Sequence, residues 1–235
     1  MEKSVEQAIE EKHYDPYFID IYRAWITCCE MLKDRGYTLP AEFASIDNND
    51  FYKLYQNTDA EHGFNSYDIL GTKDVSNSSG EVKGTKKILV KFTLDNDSIS
   101  RNDIIAIRKK VSEAYDEETS IIYILKNKPN TFVYKAVTTT VTTEVNTINM
   151  TDELFLYTEV IFNRTKHRLV PKHVLLTEAE KKDLLLTYDC KDTQIPRMVT
   201  SDFVCRYFGA KPGDMFKIDR PSPSSGIYIT YRVVK

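Results

Sequence analysis

The sequence predicts a mixed chain, an N-terminal α/β domain followed by a small two-layer α+β domain. Three observations lead there. Residues 86–125 read as strand, helix, strand, with a 3.6-residue apolar period set between two β-branched apolar runs. Residues 161–235 read as a separate β-α-α-β-β set with its own caps and turns. Charge divides at the same place: residues 1–160 carry 18 basic and 27 acidic side chains, a net of −9, whereas residues 161–235 carry 14 and 8, a net of +6.

The elements follow in order. A helix is expected from Asp15 to Arg35, because Phe18, Tyr22, Trp25, Cys29 and Leu32 recur at three- and four-residue spacing. Gly36 stands where a helix-ending residue of positive φ belongs. Short helices are expected near Pro40 and near Asp50, the second with Phe51, Leu54 and Tyr55 on one face. Residues 71–85, small, polar and rich in Gly and Ser, read as an exposed loop. Ile88 to Phe92 reads as a strand, and Ser100 with Asp103 as a capping box opening a helix whose stripe is Ile104, Ile107, Val111 and Tyr115. Thr119 to Leu125 is a second strand, apolar enough to be buried on both faces, so the pair should be parallel with a right-handed crossover.

Residues 138–151 are Thr-rich and lack a helical period, which makes them the candidate connector and sets the domains at 1–155 and 156–235. In the second domain Glu159 to Phe162 reads as a strand. Thr177 and Glu180 form a capping box for a helix to Tyr188 that should bury Ala179, Leu184, Leu185 and Tyr188. Ser201 and Asp202 begin a short helix ended by Gly209. Lys211 to Asp214 is a turn, and the strands Met215–Asp219 and Ile227–Val234 make a loose hairpin. So small a unit has little core and should lean on a partner.

Composition excludes several classes. Hydrophobic residues are 41% and charged residues 29%, as in a folded protein. No apolar run approaches the ~20 residues that span a bilayer, and the acidic start has no apolar core of the signal-peptide kind. Cys28, Cys29, Cys190 and Cys205 make no C-x-x-C, so a reduced intracellular protein is expected. There is no phosphate-cradling Gly-rich loop, and His167, His173, Cys190 and Cys205 lack zinc spacing, so no cofactor is expected.

Two constellations carry chemistry. Asp74, Glu81 and Lys83 have the D…E-x-K order of metal-dependent nucleases, in which two carboxylates hold Mg²⁺ and the lysine assists the attacking water. Here they fall in the expected loop, whereas such ligands need a rigid strand. The second is the basic set His173, Arg197, Arg206, Lys211, Lys217, Arg220 and Arg232, interleaved with Tyr207, Phe208, Tyr228 and Tyr231. Arginine gives bidentate contacts to carboxylate or phosphate, and the aromatics add stacking area. Nucleic-acid binding, docking on an acidic protein surface, and plain solvated charge all remain open on this ground.

The order of motifs narrows the choice. Leu169-Val170-Pro171-Lys172-His173-Val174-Leu175-Leu176-Thr177-Glu178, then Gln194-Ile195-Pro196-Arg197, Ser201-Asp202-Phe203-Val204-Cys205-Arg206-Tyr207-Phe208-Gly209, Ile218-Asp219-Arg220-Pro221-Ser222 and Tyr228-Ile229-Thr230-Tyr231-Arg232 resemble the small shared jaw subunit of eukaryotic nuclear RNA polymerases and its archaeal counterpart. Tyr22-Arg23-Ala24-Trp25 with Met31 to Tyr37 is similar, more distantly, to the opening helix of the eukaryotic jaw domain. The resemblance implies a non-catalytic subunit of a DNA-directed RNA polymerase, in the nucleus, or in a cytoplasmic factory or virion if viral. It implies a jaw with a restriction-endonuclease-like core and a C-terminal assembly domain that docks on the largest subunit beside neighbouring small subunits. His173, Arg197, Asp202, Arg206, Tyr207, Arg220, Tyr231 and Arg232 are then the expected partner-facing or tying residues. Lys126, Lys128 and Pro129, after the second core strand, are expected near downstream duplex DNA, in weak and sequence-blind contact. An independent DNA-binding factor and the Mg²⁺ nuclease are the alternatives, and no membrane partner is expected.

Overall fold

Asp15 and Pro16 begin the first described element for a local reason. The Asp15 carboxylate accepts the Tyr17 N–H at 3.1 Å, and proline occupies a first-turn position that needs no donor. Helix α1 runs Pro16–Asp34 and closes through Gly36 at φ +80°, with Tyr37 N–H returning to the Leu32 carbonyl at 2.9 Å. The computed structural model describes residues 15–44, 46–56, 64–76, 82–94, 98–115, 119–138, 152–224 and 226–235. They form two compact units, one ending at Phe162 and one running Asn163–Lys235.

In the first unit the expected stripe of α1 is buried throughout, with Ile21, Ala24, Cys28 and Met31 widening it. The second expected helix is a 3-10 turn, Ala41–Ala44, and α2 is Asn48–Gln56. Phe51 of α2 is fully buried. Its ring lies 5.8 Å from Phe18 and 5.1 Å from both Tyr22 and Trp25. The Trp25 indole N–H donates to the Tyr67 carbonyl at 2.9 Å, so this buried polar atom is satisfied.

The loop expected over residues 71–85 is corrected at both ends, while 77–81 lie outside the described residues. Strand β1, Ile69–Ser76, and β2, Val82–Thr93, pair antiparallel with a register irregularity at Val75/Ser76. Gly71 is there for close approach and not for a turn. A Cβ at that position would come 3.2 Å from Ile88 and Tyr37 and 3.3 Å from Leu32.

The strand-helix-strand unit stands as expected. Helix α3, Arg101–Ala114, begins with both hydrogen bonds of the Ser100–Asp103 capping box. Strand β3, Ser120–Leu125, lies parallel to β2. Ile121, Tyr123 and Leu125 pack with Leu89, Ile104, Val111 and residues of α4, Thr131–Thr138. Ile122 and Ile124 point to the opposite face, in register with Val90 and Phe92. Strand β4 is Glu153–Leu156, parallel to β3, so the sheet order is β1-β2-β3-β4. The strand expected at Glu159–Phe162 is therefore misplaced. Residues Tyr157–Val160 form one helical turn, α5, because the Glu159 carboxylate reaches back to the Leu156 N–H at 3.0 Å. Thr138 ends α4, and the rest of the Thr-rich stretch lies outside the described residues.

Among the described residues, three ion pairs join parts of this unit that are distant in the chain. Arg35, at the end of α1, holds Glu153 through both nitrogens at 2.8 and 2.6 Å. Lys91 meets Asp68 at 2.6 Å. Arg108 meets Asp152 at 3.1 Å, while Asp152 also accepts the Ile121 N–H at 2.9 Å. Burial pushes the Asp152 carboxyl up from 3.8 to about 6, against the pull of Arg108. A carboxyl that protonates more easily when folded contributes stability below its unfolded pKa, and loses it as pH rises through about 6. Asp152→Asn should therefore flatten the fall in stability between acid and neutral pH by about 1–3 kcal/mol. Urea unfolding of wild type and variant across that range checks it, and parallel pH profiles would contradict it.

The second unit is a four-stranded sheet in the order β5-β7-β8-β6. It is built from β5 (Lys172–Leu175), β6 (Arg197–Met198), β7 (Met215–Ser222) and β8 (Gly226–Val234). Helix α6, Glu178–Thr187, separates β5 from β6, and α7, Phe203–Phe208, precedes β7. The order is β-α-β-α-β-β; β5 and β6 are both unexpected, since strands of four and two residues carry too little period to read. Both expected caps are present: Thr177 with Glu180, and Asp202 with Gly209 at φ +64°. The burial expected of α6 is corrected. Ala179 is exposed and Leu184 and Leu185 are only half-buried, while Leu186 and Tyr188 are 79% and 63% exposed. The core instead gathers Val204 and Cys205 of α7 with Met198, Phe216, Ile218 and Val234.

Candidate functional site

The register of the second sheet sorts its side chains onto two faces. Directly paired residues share a face, and so do residues two apart along a strand. One face therefore carries Phe216, Ile218 and Arg220 of β7, with Arg232, Thr230 and Tyr228 opposite them on β8, and His173 of β5 opposite Ile218. Val204, Cys205 and Phe208 pack with Phe216 at one end of this face, and the other end runs out to exposed Arg220 and Tyr228.

The sheet brings several of the expected residues together here. His173, Arg220 and Arg232 lie on this face with Asp202 close by. The His173 ring is half-buried, and its Nδ1 lies 2.7 Å from the Pro171 carbonyl. Burial lowers its pKa first of all; the Pro171 bond and Asp202 oppose that, and Arg220 and Arg232 add to it. One imidazole thus feels both guanidiniums. Among the described residues neither Arg220 nor Arg232 has a hydrogen-bonding or ion-pair partner. The Thr230 hydroxyl, between them, is buried and likewise without a partner.

The other expected residues are placed elsewhere. Tyr207 is fully buried, and its hydroxyl takes a hydrogen bond from the Asn163 amide at 2.9 Å, so it ties the unit internally. Asp202 caps α7, accepting the Val204 N–H at 2.8 Å. Tyr231 lies on the opposite face, its ring 6.0 Å from Tyr188. Arg197 is exposed on β6, and Arg206 is half-buried on α7.

Sequence reading named Tyr228 but missed Ile227 and Ile229, which alternate with it on the opposite face of β8. Ile227 and Tyr228 are 69% and 57% exposed, and Ile229 is exposed as well. Their alternation was visible as a strand. What hid their exposure is that β6 pairs only with Val233 and Val234, leaving the rest of β8 with an open edge among the described strands.

In the first unit Lys126, Lys128 and Pro129 follow the carboxyl end of β3, where parallel sheets place ligand-contacting loops. The Lys126 ammonium lies 5.7 Å from the Tyr17 ring centroid, Lys128 is exposed and Pro129 half-buried. Of the nuclease constellation only Asp74 is described with its side chain. Asp74 and Lys83 lie on strands, which supplies the rigidity denied them above. Yet the Asp74 carboxylate is exposed and takes the Thr85 hydroxyl at 3.1 Å, and Glu81 lies outside the described residues. Among the described residues no three His, Cys, Asp or Glu side chains are grouped to hold a metal ion. No described helix is long and apolar enough to cross a membrane.

Comparison with known proteins gives two family matches. Residues 18–111 match the N-terminal domain of RNA polymerase Rpb5, and residues 162–234 match its C-terminal domain. The Caenorhabditis elegans protein named subunit RPABC1 of DNA-directed RNA polymerases I, II, and III is 51% identical over 82 residues, covering 35% of this chain and 39% of that protein. Its Dictyostelium discoideum counterpart is 50% identical over 84 residues, covering 36% and 43%. The Arabidopsis thaliana subunit 5B of polymerases IV and V is 28% identical over 219 residues, covering 91% of this chain and 88% of the relative. The chain thus spans about two fifths of the length of the first two relatives and most of the third. With one family's two domains matched in order, each on one of the two compact units, the chain belongs to the RNA polymerase Rpb5 family.

Proposed function

We propose that the protein is a non-catalytic subunit of a DNA-directed RNA polymerase, working in the nucleus during transcription. The unit from Asn163 anchors it on the largest polymerase subunit beside neighbouring small subunits. The observation that carries this reading is the surface of that unit: a small core, an open β8 edge with Tyr228 exposed on one face and Ile227 and Ile229 on the other, and Arg220 and Arg232 without ion-pair partners among the described residues. Such a surface is costly to leave in water and suits a protein partner. Arg197, Arg206 and Tyr231 contribute at its margins, while Asp202 and Tyr207 hold the unit in shape.

The unit ending at Phe162 acts as a jaw beside downstream duplex DNA. Its mixed sheet, an antiparallel β1–β2 hairpin continued by parallel β3 and β4, supports a restriction-endonuclease-like core put to non-catalytic use. Lys126, Lys128 and Pro129 touch the phosphate backbone there, with weak, salt-dependent and sequence-blind affinity.

Tagged full-length protein purified from its own cells should carry the largest polymerase subunit with it, identified by mass. A chain that elutes free of polymerase while binding duplex DNA at sub-micromolar concentration would replace this reading with that of an independent DNA-binding factor.

A further inference from the structure

We propose that Arg220 and Arg232, with the Thr230 hydroxyl between them and His173 alongside, form a clamp for a single carboxylate side chain presented by the partner protein. The inference rests on the subunit reading above and names what the anchor recognises.

The sheet geometry sets the clamp. Arg232 is two residues from Thr230 on β8, and Arg220 is two residues from Ile218, the residue paired with Thr230 on β7. The two guanidiniums therefore rise from opposite ends of the Ile218–Thr230 row, on one face of the sheet. Both act on the His173 ring, which is held beside that row through its contact with Pro171.

The chemistry is unfinished within the chain. Neither guanidinium has a partner among the described residues, and the Thr230 hydroxyl oxygen is buried without one. A buried hydroxyl without a partner is unfavourable, and two cations on one face gain from a shared counter-charge. One carboxylate meets both needs, since its two oxygens accept from the guanidinium forks and from the threonine O–H.

A protein carboxylate is favoured over a nucleic-acid phosphate. The backbone of a nucleic acid brings a row of negative charges, and Asp202, close enough to act on the His173 ring, would oppose such a row. The aromatic ring of Tyr228 stands exposed on the same face, and a protein surface covers it better than a sugar-phosphate chain does.

The test uses the full chain and the polymerase retained by it. Arg220→Gln/Arg232→Gln should keep the wild-type melting curve yet lose affinity for the largest subunit by about tenfold to a hundredfold, with release at lower salt. Lys182→Gln, on the exposed side of α6, should differ little from wild type. Peptides tiling the largest subunit should include one that binds the full chain and loses binding when a single Asp or Glu is changed to the amide. The clamp is overturned if the double variant is retained at the same salt as wild type, even though the polymerase assignment then stands. It is also overturned if the double variant loses only its shift of a short duplex DNA. Failure of the wild-type chain to retain polymerase would remove the subunit reading and the clamp together.

Discussion

Lys91→Met is expected to destabilise the first unit by about 3–5 kcal/mol, because it strands a buried carboxylate. The Lys91 and Asp68 side chains are 7% and 3% exposed, and their charged atoms lie 2.6 Å apart. Asp68 also accepts the Phe92 N–H at 2.9 Å and the Asn65 N–H at 2.8 Å. Burial pushes its carboxyl up, and Lys91 with the two backbone bonds pulls it back. Methionine keeps the length of the lysine stem, so the loss is electrostatic and not a cavity. Urea unfolding measures it. Without Lys91 the Asp68 carboxyl rises further above its unfolded value, so the variant should regain stability as pH falls and lose it as pH rises. Lys91→Met with Asp68→Asn should be markedly better than the sum of the single changes. Additive losses, or a single variant as stable as wild type, would mean that the pair is not coupled.

That pair also marks what could be read from the sequence. A lysine inside the apolar run Ile88–Phe92 was plain, but its partner sits in the connection before β1, far along the chain. Local rules worked where local physics decides. The stripe of α1, the Gly36 ending, both capping boxes, and the parallel β2–α3–β3 unit follow from period, cap and turn chemistry. They failed where a tertiary contact decides. Gly71 looked like loop composition, but it is small because Leu32 and Tyr37 press on the strand. Ala179 and Tyr188 belonged to an expected apolar pattern, yet they stay exposed while the core gathers under α7. The basic residues of the anchor were visible as a set. Only the strand register separates Arg220, Arg232 and His173 from Tyr231 on the opposite face and from Tyr207 in the core.

Phe216→Ala should have the largest effect on the second unit. Phe216 is fully buried at the centre of that small core. Its ring lies 5.8 Å from Phe208 and 6.1 Å from the His173 ring. Removing an aromatic ring from a core costs about 3–5 kcal/mol, comparable to the whole stability of so small a unit. The variant should lose the thermal transition of residues 163–235, and polymerase retention with it. Phe216→Leu, which keeps most of the volume, should preserve both at a lower melting temperature. The contrast with the arginine variants separates two dependences of the anchor: Phe216→Ala removes fold and retention together, whereas Arg220→Gln/Arg232→Gln removes retention alone. Full retention of the polymerase by Phe216→Ala, with an unchanged melting curve, would show that the sheet holds its binding face without this ring, and would shift the source of its rigidity to the tie between Asn163 and Tyr207.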